Sequence, residues 1–122
     1  GPVPKAVAGL SGASLEGQVL AAEKLSGLAT SDSALSEIIA AGAAPPLVAL
    51  LSSSSLGARV QAASLLMELA TSTARREVIL AAGAVGPLLE LASGSEAESR
   101  EEALGALRNL AASDRARAAL GA

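Results

Sequence analysis

The stretch that decides the fold is residues 42–51, GAAPPLVALL, which returns at residues 83–92 as GAVGPLLELA and has a counterpart at residues 1–10, GPVPKAVAGL. Each copy opens with glycine and has proline within the next four positions. The copies begin 41 residues apart, and the sequence between them repeats in the same register without a gap. A fixed period of this length is typical of stacked copies of one small unit. We therefore predict one domain, 1–122, made of units 1–41, 42–82 and 83–122.

Each unit carries start and stop signals for three helices. The first is predicted at about 33–41, 74–82 and 115–121, with Ser31, Ser72 and Ser113 as cap candidates. Gly42 and Gly83 end its first two copies. The second is short, about 44–52 and 85–93, with proline in its opening turn. The third is the longest, about 15–29, 56–71 and 97–112, and Ser95 with Glu98 predicts a capping box before its last copy.

The apolar residues of the third helix predict how the units pack. Ala62, Leu65, Leu66 and Leu69 follow the spacing of a helix with one buried stripe. One unit cannot bury this stripe alone, so neighbouring units must stack and share a core. With 51% hydrophobic residues but no Phe, Tyr, Trp or Cys, that core is built from Leu, Ile, Val, Ala and Met67. These features predict an all-α solenoid.

Composition excludes several classes of function. A net charge of −3 and the absence of aromatic residues argue against nucleic acid as a partner. Without His or Cys, common catalytic bases, thiol nucleophiles and nearly all zinc-ligand sets are missing. The Gly-rich residues 9–12 lack the Lys-Ser/Thr ending of a phosphate loop. No apolar run reaches membrane-spanning length, and no signal peptide opens the chain. We therefore expect no enzyme activity, no cofactor, no metal and no membrane partner.

Residues 42–51 and 103–111, ALGALRNLA, resemble the armadillo-repeat family, and the resemblance extends over the whole chain. It implies a right-handed superhelix with three helices per unit, whose long third helices line a concave groove for an extended peptide or a partner protein. Among armadillo proteins, the amino-acid sequence of these motifs is most similar to plant and algal armadillo domains, such as those of U-box ubiquitin ligases. The family default for localisation is the cytoplasm or the nucleus.

The resemblance also places a candidate groove on the exposed side of the third helices. Its predicted partner-binding residues are Glu23, Gln61, Ser64, Glu68, Glu102, Arg108 and Asn109. This surface is mildly acidic, so it suits a neutral or basic protein segment, whose backbone Asn109 would hold through its amide. The alternative is an ordinary solvated helix face, which is also our preferred interpretation of the acidic run at 96–102.

The groove departs from that of nuclear-signal receptors of the importin-alpha type, which place a Trp and an Asn one turn apart on successive third helices. The Trp position reads Glu23, Ser64 and Gly105, and the Asn position reads Gly27, Glu68 and Asn109. Only Asn109 matches the receptor pattern. The resemblance therefore predicts protein binding without predicting reception of nuclear signals.

Two other functions compete with groove binding. One is end-to-end assembly into homo-oligomers, because solenoids need polar end units while Val3, Val7 and Leu10 at one end and Leu120 at the other are expected to be exposed. The other is substrate recognition in a ubiquitin ligase, which requires a further domain outside a fragment such as this. The units diverge at their surface positions, which favours a natural fragment over a consensus design. Arg75, Arg76, Arg115 and Arg117 are expected to form a thin basic patch on the outer ridge.

Overall fold

The computed structural model describes residues 1–113, 118 and 121. Within this part of the chain the regular structure is entirely α-helical, which confirms the predicted fold class. The helices are α1 Pro2–Gly9, α2 Leu15–Leu28, α3 Asp32–Ala40, α4 Ala44–Leu50, α5 Leu56–Leu69, α6 Thr73–Ala81, α7 Val85–Ala92 and α8 Ala97–Leu110.

The three long helices, α2, α5 and α8, each have 14 residues and begin 41 residues apart. They start where predicted and end one or two residues earlier. The short helices α3 and α6 begin one residue before the predicted position, and α4 and α7 end one or two residues before theirs. Most of the copy predicted at 115–121 lies outside the described residues. The helix order short, short, long therefore repeats along the described chain.

Serine side chains cap four of the eight described helices. The backbone N–H groups of Ala34 and Arg75 donate to the Oγ atoms of Ser31 and Ser72, as predicted for α3 and α6. Ser14 and Ser55 cap α2 and α5 in the same way. The cap role predicted for Ser113 depends on residues outside the described part, although its hydroxyl lies 3.1 Å from a Glu77 carboxylate oxygen.

The capping box predicted at Ser95 and Glu98 is wrong. Helix α8 begins at Ala97, so its cap position is Glu96, which makes no side-chain cap bond. The 41-residue period explains this register, because Glu96 is the equivalent of the capping residues Ser14 and Ser55. The hydroxyl of Ser99 instead donates to the backbone oxygen of Glu96 at 3.2 Å.

Two glycines turn the chain between the short helices. Gly42 and Gly83 have φ angles of +88° and +83°, in the left-handed region where residues with a Cβ are strained. Each lies between a first and a second short helix, as predicted. At Gly42 this turn sets α3 and α4 at 87° to each other.

No single helix in the described range is long and apolar enough to cross a membrane, and the pair α3 and α4 meets the length and composition criteria only together, across the 87° bend.

The core lies between the long helices and the short helices of the same units. Helix α5 packs against α2 on one side and α8 on the other, while α4 and α7 pack under α5 and α8. Leu25, Leu66, Leu69 and Leu110 are buried in this core, together with a set of alanines that allow the helices to approach closely.

The prediction that Val3, Val7 and Leu10 are exposed at the chain end is wrong. Their side chains are only 4%, 8% and 1% exposed. Helix α1 packs against α2 and α3, and Val3 and Val7 lie on the side that faces these helices, so the apolar residues of α1 join the common core. The fourth residue of that prediction, Leu120, lies outside the described residues.

The prediction of an outer basic patch is wrong for Arg75, whose side chain is 2% exposed. Its Nε donates to the backbone oxygen of Leu69 at 2.8 Å, and its Nη2 donates to Thr71 Oγ1 at 2.8 Å. Its Nη1 reaches α3, where it donates to Ser36 Oγ at 3.0 Å and lies 3.0 Å from a carboxylate oxygen of Asp32. Arg75 therefore joins α6 to α3 of the preceding unit. Of the other three members, Arg76 is half-buried, and Arg115 and Arg117 lie outside the described residues.

A second side-chain bond recurs with the period. At the turn before each long helix, a polar side chain donates to a backbone oxygen six residues earlier. The pairs are Gln18 with Gly12, Arg59 with Ser53, and Arg100 with Gly94, at 2.8, 2.8 and 3.1 Å. This bond gives one backbone carbonyl of the turn a hydrogen-bond donor in each unit. The same carbonyl position is thus bonded in all three units, although the donor is glutamine in the first and arginine in the other two.

Candidate functional site

The exposed sides of α2, α5 and α8 form one continuous surface, because α5 packs between the other two long helices. We call the predicted set Glu23, Gln61, Ser64, Glu68, Glu102, Arg108 and Asn109 the long-helix face. Its members are exposed or half-buried, and none is fully buried. They lie on helices rather than on loops, so their backbone positions are held by the core beneath.

A shallow depression of about 220 Å³ opens on this surface where the three long helices meet. Two of the predicted residues, Glu23 and Gln61, line it. Five further lining residues were not predicted: Val19, Leu56, Gly57, Val60 and Glu98. The lining combines apolar side chains with two carboxylates, a composition suited to an aliphatic stem that ends in a positive charge.

The lining residues follow from the period even though the prediction omitted them. Glu98 was assigned to a solvated helix start, yet it occupies the position of Gly57 in the preceding unit. Gly57 has no side chain, and a Cβ there would lie 3.8 Å from a Val19 methyl group. The 41-residue period therefore indicates that Glu98 belongs to this surface, whereas its charge alone does not.

Glu68 and Glu102 form an acidic pair further along the same face. Partial burial raises the pKa of the Glu68 carboxyl above its ordinary value of 4.5, and the negative charge of Glu102 raises it further. Within the described part of the chain, Oε2 of Glu102 is buried and has no hydrogen-bond partner. The pair therefore holds two carboxylates whose solvation is incomplete, and an approaching cation would stabilise both charges.

This pair predicts a pH-dependent effect on stability. A carboxyl whose pKa is raised in the folded state destabilises the fold above that pKa, and the penalty disappears once both folded and unfolded states are protonated. Glu68→Gln is therefore expected to raise the melting temperature at neutral pH, and the difference should shrink as the pH falls to about 4.5 and below. Thermal unfolding followed by circular dichroism over this range tests the prediction. A difference that stays constant with pH would contradict it.

Asn109 has a structural bond in addition to its predicted role. Its Nδ2 donates to the backbone oxygen of Met67 at 2.8 Å, which joins α8 to α5. The Met67 side chain in turn lies against Gly105, where an added Cβ would collide with the sulfur. The positions equivalent to the Trp and Asn of nuclear-signal receptors thus form a contact between two long helices. The second N–H and the oxygen of the Asn109 amide are the groups left for a partner.

The remaining predicted residues are spread over this surface. Ser64 is half-buried at the middle of α5, and Arg108 is exposed in the last turn of α8. The structure therefore groups Glu23 with Gln61 in the depression and Glu68 with Glu102 in the acidic pair. The residues form a surface along the helices rather than a single pocket.

Comparison with known proteins agrees with this architecture. The Armadillo/beta-catenin-like repeat family model matches residues 72–112, which contain α6, α7 and α8. A comparison with curated proteins found no significant match.

Several solved structures superpose on almost the entire chain. A computationally designed armadillo repeat protein for modular peptide recognition has a TM-score of 0.91 and 26% identity, over 97% of this chain and 51% of its own. An engineered protein from the Northeast Structural Genomics Consortium has a TM-score of 0.89 and 33% identity, over 95% and 48%.

A designed armadillo repeat protein in complex with the peptide (KR)4 has a TM-score of 0.82 and 28% identity, over 88% of this chain and 46% of its own. The chain thus spans about half the length of these structures. The family match identifies residues 72–112 as an armadillo repeat, and the repeated order of two short helices and one long helix together with these superpositions shows that the chain has the armadillo-repeat fold.

Proposed function

We propose that this chain is a protein-binding scaffold that holds an extended, basic segment of a partner protein along the long-helix face. The observation that carries the proposal is the acidic pair, in which partial burial and the charge of Glu102 raise the pKa of Glu68, and Oε2 of Glu102 is buried without a hydrogen-bond partner in the described chain. Such groups are left incompletely solvated in the free protein. A lysine or arginine side chain supplies the missing hydrogen-bond donors and the opposite charge.

The spacing of the acidic groups supports a segment rather than a single ligand. One group, Glu23 and Glu98, lines the depression, and the second, Glu68 and Glu102, lies in the last turn of α5 and in the second turn of α8. An extended chain presents alternate side chains to the same side, so successive basic residues could reach successive acidic groups. A designed armadillo repeat protein that superposes on this chain is solved in complex with the peptide (KR)4, which supports a basic peptide as the partner.

The test is a calorimetric titration of the purified chain with three peptides of equal length: alternating Lys-Arg, alternating Glu-Ser and alternating Gly-Ser. We expect the basic peptide to bind, the acidic and neutral peptides to bind weakly or not at all, and added salt to weaken the binding. The double variant Glu68→Gln, Glu102→Gln should weaken binding of the basic peptide roughly tenfold, since two charge pairs each contribute on the order of 0.5 to 1 kcal/mol.

A matched control separates local contacts from overall charge. The double variant Glu37→Gln, Glu90→Gln removes the same charge from exposed positions on α3 and α7, which lie outside the long-helix face. This control should bind the basic peptide almost as tightly as the parent chain. Equal loss of affinity in the two double variants would mean that the net charge of the protein, and not this face, attracts the peptide.

A further inference from the structure

We propose that the depression on the long-helix face is a pocket for one lysine side chain of the bound segment, and that Gly57 is the residue that opens it. This inference rests on the proposed function and deepens it, because it names the residue type that the face selects. The depression has a volume of about 220 Å³ and is lined by residues of all three long helices. Helix α5 supplies most of the lining, and both of its long-helix neighbours, α2 and α8, belong to the described chain.

Gly57 leaves space at a position where the other two units carry a long side chain. Its equivalents at intervals of 41 residues are Glu16 and Glu98. A Cβ at residue 57 would make only ordinary contacts, at 3.7 Å from Ser55 Oγ and 3.8 Å from a Val19 methyl group. The surroundings therefore tolerate a side chain here, and its absence keeps the surface between α2 and α5 open.

The next junction between long helices carries a carboxylate at the same place. Gly57 faces Val19 between α2 and α5, and the 41-residue register predicts that Glu98 faces Val60 between α5 and α8. All four of these residues line the depression. The depression thus joins an open aliphatic part beside α2 to a carboxylate on α8.

The polar groups of the lining match an ammonium group. Glu23 and Glu98 belong to α2 and α8, on opposite sides of α5, and Gln61 of α5 adds an amide oxygen. A lysine ammonium has three donors on a flexible stem, which suits acceptors that come from three helices. An arginine guanidinium is a planar fork that suits two parallel bonds to one carboxylate. The pocket therefore favours lysine, whose methylene groups lie against Val19 and Val60.

A calorimetric titration with three peptides of equal length tests the proposal, with lysine, ornithine or arginine alternating with serine. Ornithine keeps the ammonium group but has one methylene group fewer than lysine. Because that methylene is buried in the pocket, we expect the lysine peptide to bind about fourfold more tightly than the ornithine peptide. The arginine peptide provides a second ratio of affinities, which should fall when the pocket is filled.

Gly57→Leu fills the depression from α5. This variant should lose the preference for lysine over ornithine and lower the ratio of lysine to arginine affinity, while basic peptides still bind at Glu68 and Glu102. The matched control is Gly86→Leu on α7, outside the long-helix face, where an added Cβ meets no atom within 4 Å. This control should keep both ratios of the parent chain.

A second pair of variants tests the carboxylate on α8. Glu98→Gln should weaken binding of the lysine peptide roughly two- to fivefold, the range for one exposed charge pair. Glu101→Gln removes the same charge from an exposed residue of α8 that does not line the depression. This control should change the affinity much less. Equal effects of the two changes would overturn the role of Glu98 in the pocket.

The outcomes separate this inference from the proposed function. If the parent chain binds the lysine and ornithine peptides equally, or if Gly57→Leu keeps the parent's ratios, the depression is not a lysine pocket. Binding of basic peptides would then still support the proposed function. If the parent chain binds none of the three peptides, both the proposed function and the pocket are overturned.

Discussion

Replacing Arg75 with alanine is expected to lower the free energy of unfolding by roughly 2 to 4 kcal/mol, the range for losing charge-assisted bonds to buried groups. Arg75 is 2% exposed, and its guanidinium donates to the backbone oxygen of Leu69 and to Ser36 Oγ on α3. Alanine removes these bonds, leaves the Leu69 oxygen without its arginine donor and opens a cavity between α6 and α3.

The matched control for Arg75→Ala is Asp32→Asn, which removes the ion pair and keeps the size of the side chain. Asp32 lies 3.0 Å from Arg75 Nη1, but its side chain is 82% exposed, so solvent screens most of the attraction. We expect this change to cost less than about 1 kcal/mol. Urea unfolding followed by circular dichroism measures both variants. Equal losses would show that the ion pair, rather than the bonds of the guanidinium to Leu69 and Ser36, holds the two helices together.

Arg75 also shows a limit of sequence-based prediction. The helices were predictable because glycine, proline, serine caps and apolar spacing recur at the same positions in successive units. Arg75 breaks the pattern, since its equivalents are Ala34 and Ala116. A residue that occurs in one unit only carries no periodic signal, and an arginine pair is usually solvent-exposed. Its burial depends on the distance between α3 and α6, which the spacing within one helix does not determine.

The candidate site was predictable to a similar degree. Helical spacing correctly separated the exposed sides of the long helices from the buried stripe, because both follow from one period. The proximity of Glu68 and Glu102 depends instead on the register between α5 and α8, two helices whose contact is set by Met67 over Gly105. The predicted exposure of Val3 and Val7 was wrong for a related reason, since being near the chain end says nothing about how α1 turns toward α2 and α3.

Truncation of Leu66 to alanine is expected to cost roughly 2 to 5 kcal/mol, and more than the same truncation at its equivalents Leu25 and Leu107. Leu66 is fully buried in α5, the long helix with neighbours on both sides. Leu107, in α8, keeps 8% of its surface exposed, so its removal transfers less apolar area to water and leaves a site that solvent can partly fill. Leu25 is fully buried as well, but in the described chain α2 packs against one long helix and α5 against two, so the three leucines compare one side chain in three packing environments.

Urea unfolding of the three truncations measures this order, with Leu104→Ala as a control that removes the same atoms from a side chain 42% exposed on α8. The control should change the free energy of unfolding by less than about 1 kcal/mol, because it leaves no closed cavity. Leu66→Ala should shift the whole transition, since α5 connects the units on either side. Equal losses at Leu66 and Leu107 would instead mean that each unit is stabilised chiefly within itself, and that packing between neighbouring long helices contributes little.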